Sequence, residues 1–298
     1  MAKADIAALL ALGAAFFIGL GDVIQLRSAH EVTDEEVGIV GLFTRLLRDR
    51  QWWLGTIGGG IGFALQAAAL DLGSVVEVQA ILCTSLLFAL PINAKIYHRR
   101  VTRWQWTWAV LLAAGVAVIV TVGNPQPGRS HGSPETWLRV AAVMVPAMIL
   151  CGLGARMWPG TRRAVPLALI SGSLWGVVAV LTKGVTELLG HGLSALLRAP
   201  ELYWWAGIAV TATAFQQSSF RAGSLTASMP TMLVTEPVVG SVLGIVVLGE
   251  TIHTNALGYV ALGVAVVVTV VATAALARGQ AAAQSEASAA DGAETERR

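Results

Sequence analysis

The sequence predicts an all-α integral membrane protein: about nine transmembrane helices, or ten, in two inverted four-helix repeats joined by a linker helix. Three observations carry this. Only 13% of the residues are charged and 55% are hydrophobic, whereas a soluble domain carries about 25% charged residues and needs them to cover its surface. The apolar residues fall in blocks close to the roughly 20 residues that a spanning helix requires. The order of landmarks in the first half of the chain also returns in the second.

Residues 52–70, 104–126, 202–220 and 255–277 contain no charged residue, and 6–26, 72–93, 140–155, 164–189 and 222–249 carry one or two at most. These are the nine spans, with 140–155 the shortest. β-barrel strands alternate polar and apolar positions, and these blocks do not, so the spans are helices. The first block is read as a retained helix, because residues 1–5 are not strongly basic and no small-residue cleavage site follows. Residues 37–49 place Val37, Val40, Phe43, Leu46 and Leu47 on one helical face between arginines, the pattern of an interfacial amphipathic helix. Residues 279–298, rich in Ala, Ser and Glu, are expected to be a disordered tail.

Lys and Arg collect in the cytoplasmic loops of membrane proteins. Fifteen of them (Arg27, Arg45, Arg48, Arg50, Lys95, Arg99, Arg100, Arg103, Arg156, Arg162, Arg163, Arg221, Arg278, Arg297 and Arg298) fall on one side of this topology. Lys3, Arg129, Arg139 and Arg198 fall on the other. The count places the N-terminus outside and the C-terminus in the cytoplasm of a cell membrane. Arginines that interrupt spans are topology determinants, so no nucleic-acid partner is expected.

The second span opens Trp52-Trp53-Leu54-Gly55 and runs through Phe63 and Gln66 to Gly73-Ser74; the seventh contains Trp204-Trp205-Ala206-Gly207 and runs through Phe215, Gln216 and Gln217 to Gly223-Ser224. Each half closes on a Gly-Val-Ala-Val run, at 115–118 and 263–266, and Gly19 with Gly21 answers to Gly172 with Gly176. Corresponding spans are five apart, an odd offset that inverts one half relative to the other. The organisation is therefore 1–127 as first repeat, 128–163 as linker span and 164–278 as second repeat. Inverted repeats are the architecture of many secondary transporters, with the site near mid-bilayer between the halves.

Pro237 is followed twelve residues later by Gly249-Glu250 and a last Gly-bearing span. This resembles the signature of EamA-type domains in the drug/metabolite transporter superfamily. The first half departs from it, since Pro91 is followed by Arg99-Arg100. The run Gly21-Asp22-Val23-Ile24-Gln25 with Arg27, and the nine-span count, are more similar to the NIPA-type branch, which includes magnesium transporters.

An ionisable residue inside the bilayer is a functional candidate by default. Glu236 stands mid-way through block 222–249 and is followed by Pro237, whose ring disturbs the preceding turn. Freed carbonyls beside a carboxylate suit a cation or a proton relay, and Thr231 and Thr235 lie near the same face. Asp22 and Gln25, three apart, share a face of the first span. Glu77 and Gln79 open the third span, where Glu77 also suits a helix N-terminus. Gln66, Gln216 and Gln217 occupy comparable places in the repeat. Lys183 and Glu187, four apart, read as a snorkelling ion pair. The tryptophans at span ends (Trp52, Trp53, Trp104, Trp106, Trp204, Trp205) read as interfacial anchors, and Gly58, Gly59, Gly60 and Gly62 as a close-packing face. Cys83 and Cys151 form neither a disulfide framework nor a metal-ligand spacing.

These features point to a secondary-active transporter that moves a small solute or ion by alternating access, coupled to an ion or proton gradient because no nucleotide motif is present. Its site would include Glu236, Asp22, Gln25, Gln66, Thr235, Gln216, Gln217 and Glu77, with Pro237 as a helix break. The NIPA-type resemblance implies the alternative of a magnesium or other divalent cation carrier, with the metal on Glu236 and Asp22. An enzyme is not expected, since HExxH, GxSxG and paired-Asp motifs are missing and the five histidines are dispersed; a non-transporting scaffold is the remaining class. No cofactor is expected. The partners are the solute and the lipid bilayer, and a homodimer is left open.

Overall fold

The structure, a computed structural model, describes residues 3–32, 50–96, 101–158, 163–222 and 225–295. The interfacial helix expected at 37–49 lies outside them. Helices α1 (Lys3–Val32), α2 (Arg50–Leu72), α3 (Val75–Leu82), α4 (Ser85–Ile96) and α5 (Arg103–Thr121) make the first half. A strap with strand β1 (Pro125–Gln126) leads to α6 (Pro134–Met157). The second half holds α7 (Ala164–Gly190), the short α8 (Leu193–Arg198), α9 (Pro200–Ala222), α10 (Leu225–Leu248), β2 (Thr251–Ile252) and α11 (Ala256–Thr295).

Helix starts follow local chemistry. The Ser74 hydroxyl accepts from Glu77 N at 3.0 Å, Thr102 and Gln105 close a reciprocal capping box, and Ser133 accepts from Thr136 N at 3.2 Å with Pro134 in the first turn. Each side chain satisfies a backbone donor that the helix cannot satisfy itself. Eight segments among the described residues are long and apolar enough to cross a membrane, and the chain is a multi-pass all-α membrane protein. The sequence count of nine includes α9, which is 23 residues long but carries Gln216, Gln217, Ser218 and Ser219 together and falls short in hydropathy.

One expectation is corrected. The third span is not one helix, because it breaks at Cys83–Thr84 into α3 and α4. At the far end of the chain α11 runs on through Thr295. Its Ala, Gln and Glu residues have high helix propensity, which outweighs the lack of an apolar face.

The helices pack in a repeated pattern. In the first half α1 lies against α2 and the α3–α4 pair; in the second, α7 lies against α9 and α10. The halves meet where α5 packs on α11, α3 on α10 and α2 on α7. Glycines permit the closest approaches. A Cβ on Gly21 would stand 2.9 Å from Gly59 N on α2, one on Gly19 2.5 Å from Ser85 O on α4, and one on Gly172 2.9 Å from Thr235 Cβ on α10. Gly19 and Gly172, matched in the sequence, thus make the same kind of contact in each half. Helix α6 is peripheral: 6% of its span is buried, and it packs on α7 and α10. At one end of the bundle β1 and β2 pair antiparallel, Pro125 with Ile252 and Gln126 with Thr251. Arg129 N donates to Leu248 O there at 2.8 Å. The strap therefore crosses the end of α10.

Candidate functional site

The contact between α3 and α10 is a ladder with a step of one helical turn. A Cβ on Gly244 would meet Val75 Cβ at 3.1 Å, and one on Gly240 would meet Gln79 Nε2 at 2.8 Å. Cys83 lies within electrostatic reach of Glu236. Positions 75, 79 and 83 thus descend α3 as 244, 240 and 236 climb down α10. Four residues make about one turn, so the two helices run antiparallel with one stripe each in contact. The break of the third span at Cys83–Thr84 falls on the same level as Glu236–Pro237. Thr84 N and Leu87 N bond three residues back, to Ile81 O and Thr84 O, in place of the α-helical four. Helix α7 closes the third side: a Cβ on Gly176 would stand 2.8 Å from Gly240 N and 3.0 Å from Glu236 O. Thr235 Oγ1 donates back to Thr231 O at 2.6 Å.

Gln79 occupies the middle rung at 1% exposure, and neither its amide oxygen nor its nitrogen has a hydrogen-bond partner among the described residues. A buried polar group left unpaired costs about 1–3 kcal/mol. Gln79→Leu is therefore expected to raise the melting temperature in detergent by a few degrees. A lower melting temperature would mean that the amide is held by a bond such as one to water.

The outermost rung carries charge. Gly249 adopts φ +67°, a left-handed conformation that glycine enters without penalty. The turn brings Glu250 back over the bundle, where Oε1 accepts from Val75 N at 2.6 Å and Oε2 from Val76 N at 3.0 Å. Lys183 Nζ lies 3.3 Å from Glu250 Oε1 and donates to Gly73 O at 2.8 Å. Both side chains are buried, 5% and 1% exposed. The carboxylate thus meets the positive end of α3 and one cation, while the cation satisfies a carbonyl at the end of α2. Two groups of the second half hold the start of a helix of the first.

The Lys183–Glu187 pair expected from the spacing is corrected by this geometry. Lys183 turns inward to Glu250, and Glu187 pairs with His131 of the strap at 3.2 Å. The 67-residue separation from its real partner hides it from helical spacing.

The other candidates are dispersed. Glu77 is buried beside Ser74 at the Glu250 end, about 9 Å along the helix from the Cys83 level. Gln66 is buried in α2. Gln216 accepts from Trp175 Nε1 at 3.1 Å, a bond between α9 and α7, and Gln217 is exposed. The side chains of Asp22 and Gln25 lie outside the described residues. Of the expected set, the structure brings together Glu236, Thr235 and Pro237, and it adds Gln79 and Cys83. Among the described residues no three His, Cys, Asp or Glu side chains gather in a metal-holding group. Trp53, Trp104, Trp106 and Trp204 are exposed as anchors would be. Trp205 instead faces inward, donating to Thr182 Oγ1 at 3.0 Å and tilting on Phe63 of α2.

Residues 37–121, which hold the second to fourth spans, match the EamA-like transporter family. An uncharacterized protein of Corynebacterium glutamicum is 34% identical over 274 residues, covering 92% of this chain and 95% of its own length. The chain belongs to the EamA-like transporter family. No solved structure matches it. The matched segment is the half that lacks the Gly-Glu signature, so the EamA-like resemblance rests on both halves: motif in the second, extended match in the first. In this EamA-like protein the signature glutamate has a physical task, which is to cap the broken third span of the opposite half.

Proposed function

We propose that this EamA-like protein is a secondary-active carrier of a small solute or ion in the cell membrane, working by alternating access between two inverted repeats. The observation that carries the reading is the level shared by the Cys83–Thr84 break, Glu236 and Pro237. Broken helices in a membrane are tolerated where their freed backbone groups face protein or a pathway, and transporter sites are built from them. The matched packing of α1 and α7 on their neighbours supports the repeat organisation, 1–127 and 164–278 about the linker at 128–163. With the N-terminus outside, as the arginine distribution favours, the Glu250 end faces outward and is sealed in this conformation.

Glu236 is assigned the central role, with Thr235 and Gln79 beside it. Asp22, Gln25, Gln66, Gln216, Gln217 and Glu77 remain candidates for the path on either side. The test is flux in proteoliposomes, screening magnesium, amino acids and organic cations with and without an imposed proton gradient. For the solute that moves, Glu236→Gln is expected to lower uptake at least tenfold, about 1.4 kcal/mol or more in the barrier. Flux at the wild-type rate in that variant would remove Glu236 from the site. Magnesium flux that depends on both Asp22 and Glu236 would favour the divalent-cation alternative.

A further inference from the structure

We propose that His131 and Glu187 form a proton-operated latch, which fastens the strap to α7 in acid and loosens it near neutral pH. Two parts of the molecule meet at this end of the bundle. The first is the strap together with the Glu250 turn. Strand β1 pairs with β2, Arg129 N donates to Leu248 O at 2.8 Å, and His253 N donates to Gly123 O at 3.2 Å. The fit is close: a Cβ on Gly128 would run into Leu248 O and stand 2.8 Å from Glu250 N. Glu250 therefore cannot swing away from Val75 N without carrying or displacing the strap. The second part is α7. Two links one helical turn apart join it to the first. The inner link is Lys183 with Glu250, 5% and 1% exposed. The outer link is Glu187 with His131, each 42% exposed.

The outer link is built to respond to a proton. His131 Nε2 lies 3.2 Å from Glu187 Oε2. That oxygen is itself enclosed, although the side chain reaches water, and it has no hydrogen-bond partner among the described residues. A carboxylate oxygen shut off from water needs a cation or a donor beside it. Imidazolium supplies a full charge and neutral imidazole does not, and histidine makes that change between about pH 5 and 8. The imidazole also lies against the α7 backbone, since a Cβ on Gly184 would stand 3.0 Å from His131 Nδ1. Other charged groups nearby are engaged elsewhere or turned to solvent. Lys183 is held by Glu250 and Gly73 O, and Arg139 of α6 by Glu135. His191 of α7 meets Glu187 at its backbone carbonyl, 2.9 Å from Nδ1. His253 lies beside Thr251 Oγ1, and Arg129 of the strap is exposed. With His131 charged, the strap is pinned to α7 and holds the Glu250 turn in place. As pH rises through the histidine range the pin is lost, while the β1–β2 pairing stays. Acid outside the cell would then oppose outward opening; that consequence rests on the carrier reading and its orientation, whereas the latch does not.

The experiment is hydrogen exchange read by mass spectrometry on the full chain in dioleoylphosphatidylcholine nanodiscs. Peptides covering residues 123–133 are compared at about pH 5.5 and about pH 7.5, either side of the ordinary histidine range, after correction for the chemical exchange rate at each pH. Protection is expected to be about two- to fivefold greater in acid, the range for a partly exposed ion pair. His131→Gln and Glu187→Ala are each expected to erase that difference, and His191→Gln and His253→Gln to leave it intact. Protection in the wild type that is equal at both pH values, or greater at the higher one, would overturn the proposal. So would a difference that survives His131→Gln. The wild-type comparison needs no variant to fold, and exchange needs neither solute nor flux, so the outcome is independent of the carrier reading.

Discussion

Replacing Glu250 with alanine is expected to destabilise the protein by about 3–5 kcal/mol, the usual effect of removing one member of a buried ion pair. The loss has two parts. Lys183, 5% exposed, would lose its carboxylate partner and retain the Gly73 carbonyl. Val75 N and Val76 N would lose their acceptor in a buried position. Lys183→Met alone should also destabilise, because the remaining carboxylate still has the helix end but no cation. The double variant Lys183→Met/Glu250→Gln should lose much less than the sum of its singles. Interaction energies between contacting groups are read from such a cycle, and melting in detergent by intrinsic tryptophan fluorescence supplies the measurement. Additive losses would mean that the two groups stand independently.

The second large effect is expected at Gly176. A side chain there would enter the space held by Gly240 N, Glu236 O and Val239 Cβ, all within 3.0 Å of the added carbon. Two of those atoms are backbone and cannot rotate away. Overpacking of an ordinary core costs about 1–3 kcal/mol, and Gly176→Val should reach the upper part of that range. It should also abolish flux, because α7 is pushed off α10 at the level of Glu236. Gly263→Ala is the control, since nothing lies within 4 Å of the added carbon. It should melt at or above the wild-type temperature, as alanine is the better helix former. If Gly176→Val kept wild-type melting and flux, the close α7–α10 contact would not be required.

Much of this architecture was legible in the sequence because its cause is local. Apolar blocks mark spans wherever the solvent is hydrocarbon. Gly19 and Gly172 could be matched by rank order, and both proved to be points of close helix contact. Glu236 could be singled out because a lone carboxylate among uncharged neighbours is conspicuous in one dimension. What stayed hidden was what distance along the chain conceals. The pairing of Lys183 with Glu250, and of Glu250 with Val75 N, joins residues 67 and 175 positions apart, and no helical period carries that information. The Gly249-Glu250 motif was visible, but its task as a cap for the other half was not. The break at Cys83–Thr84 was missed for another reason. Neither residue is Gly or Pro, but the Thr84 hydroxyl donates to Ile81 O at 2.6 Å, a local bond that competes with the helical ladder and that composition alone does not announce. Gln79 is visible beside Glu77 in the sequence but falls outside the expected site, because charge draws attention there, whereas an unpaired amide is recognised only once its surroundings are known.

The division of the third span has a mechanical consequence. A single helix across the bilayer behaves as a stiff rod, and a tilt at one face must reappear at the other. Here the rod is cut in the middle. Helix α3 is eight residues long, moored at its tip by Glu250, while α4 leans on Gly19 of α1. Each piece can answer to its own half of the molecule. Displacing the mooring at one membrane surface does not oblige the segment ending at Ile96 to move, and the joint that absorbs the difference lies beside Glu236.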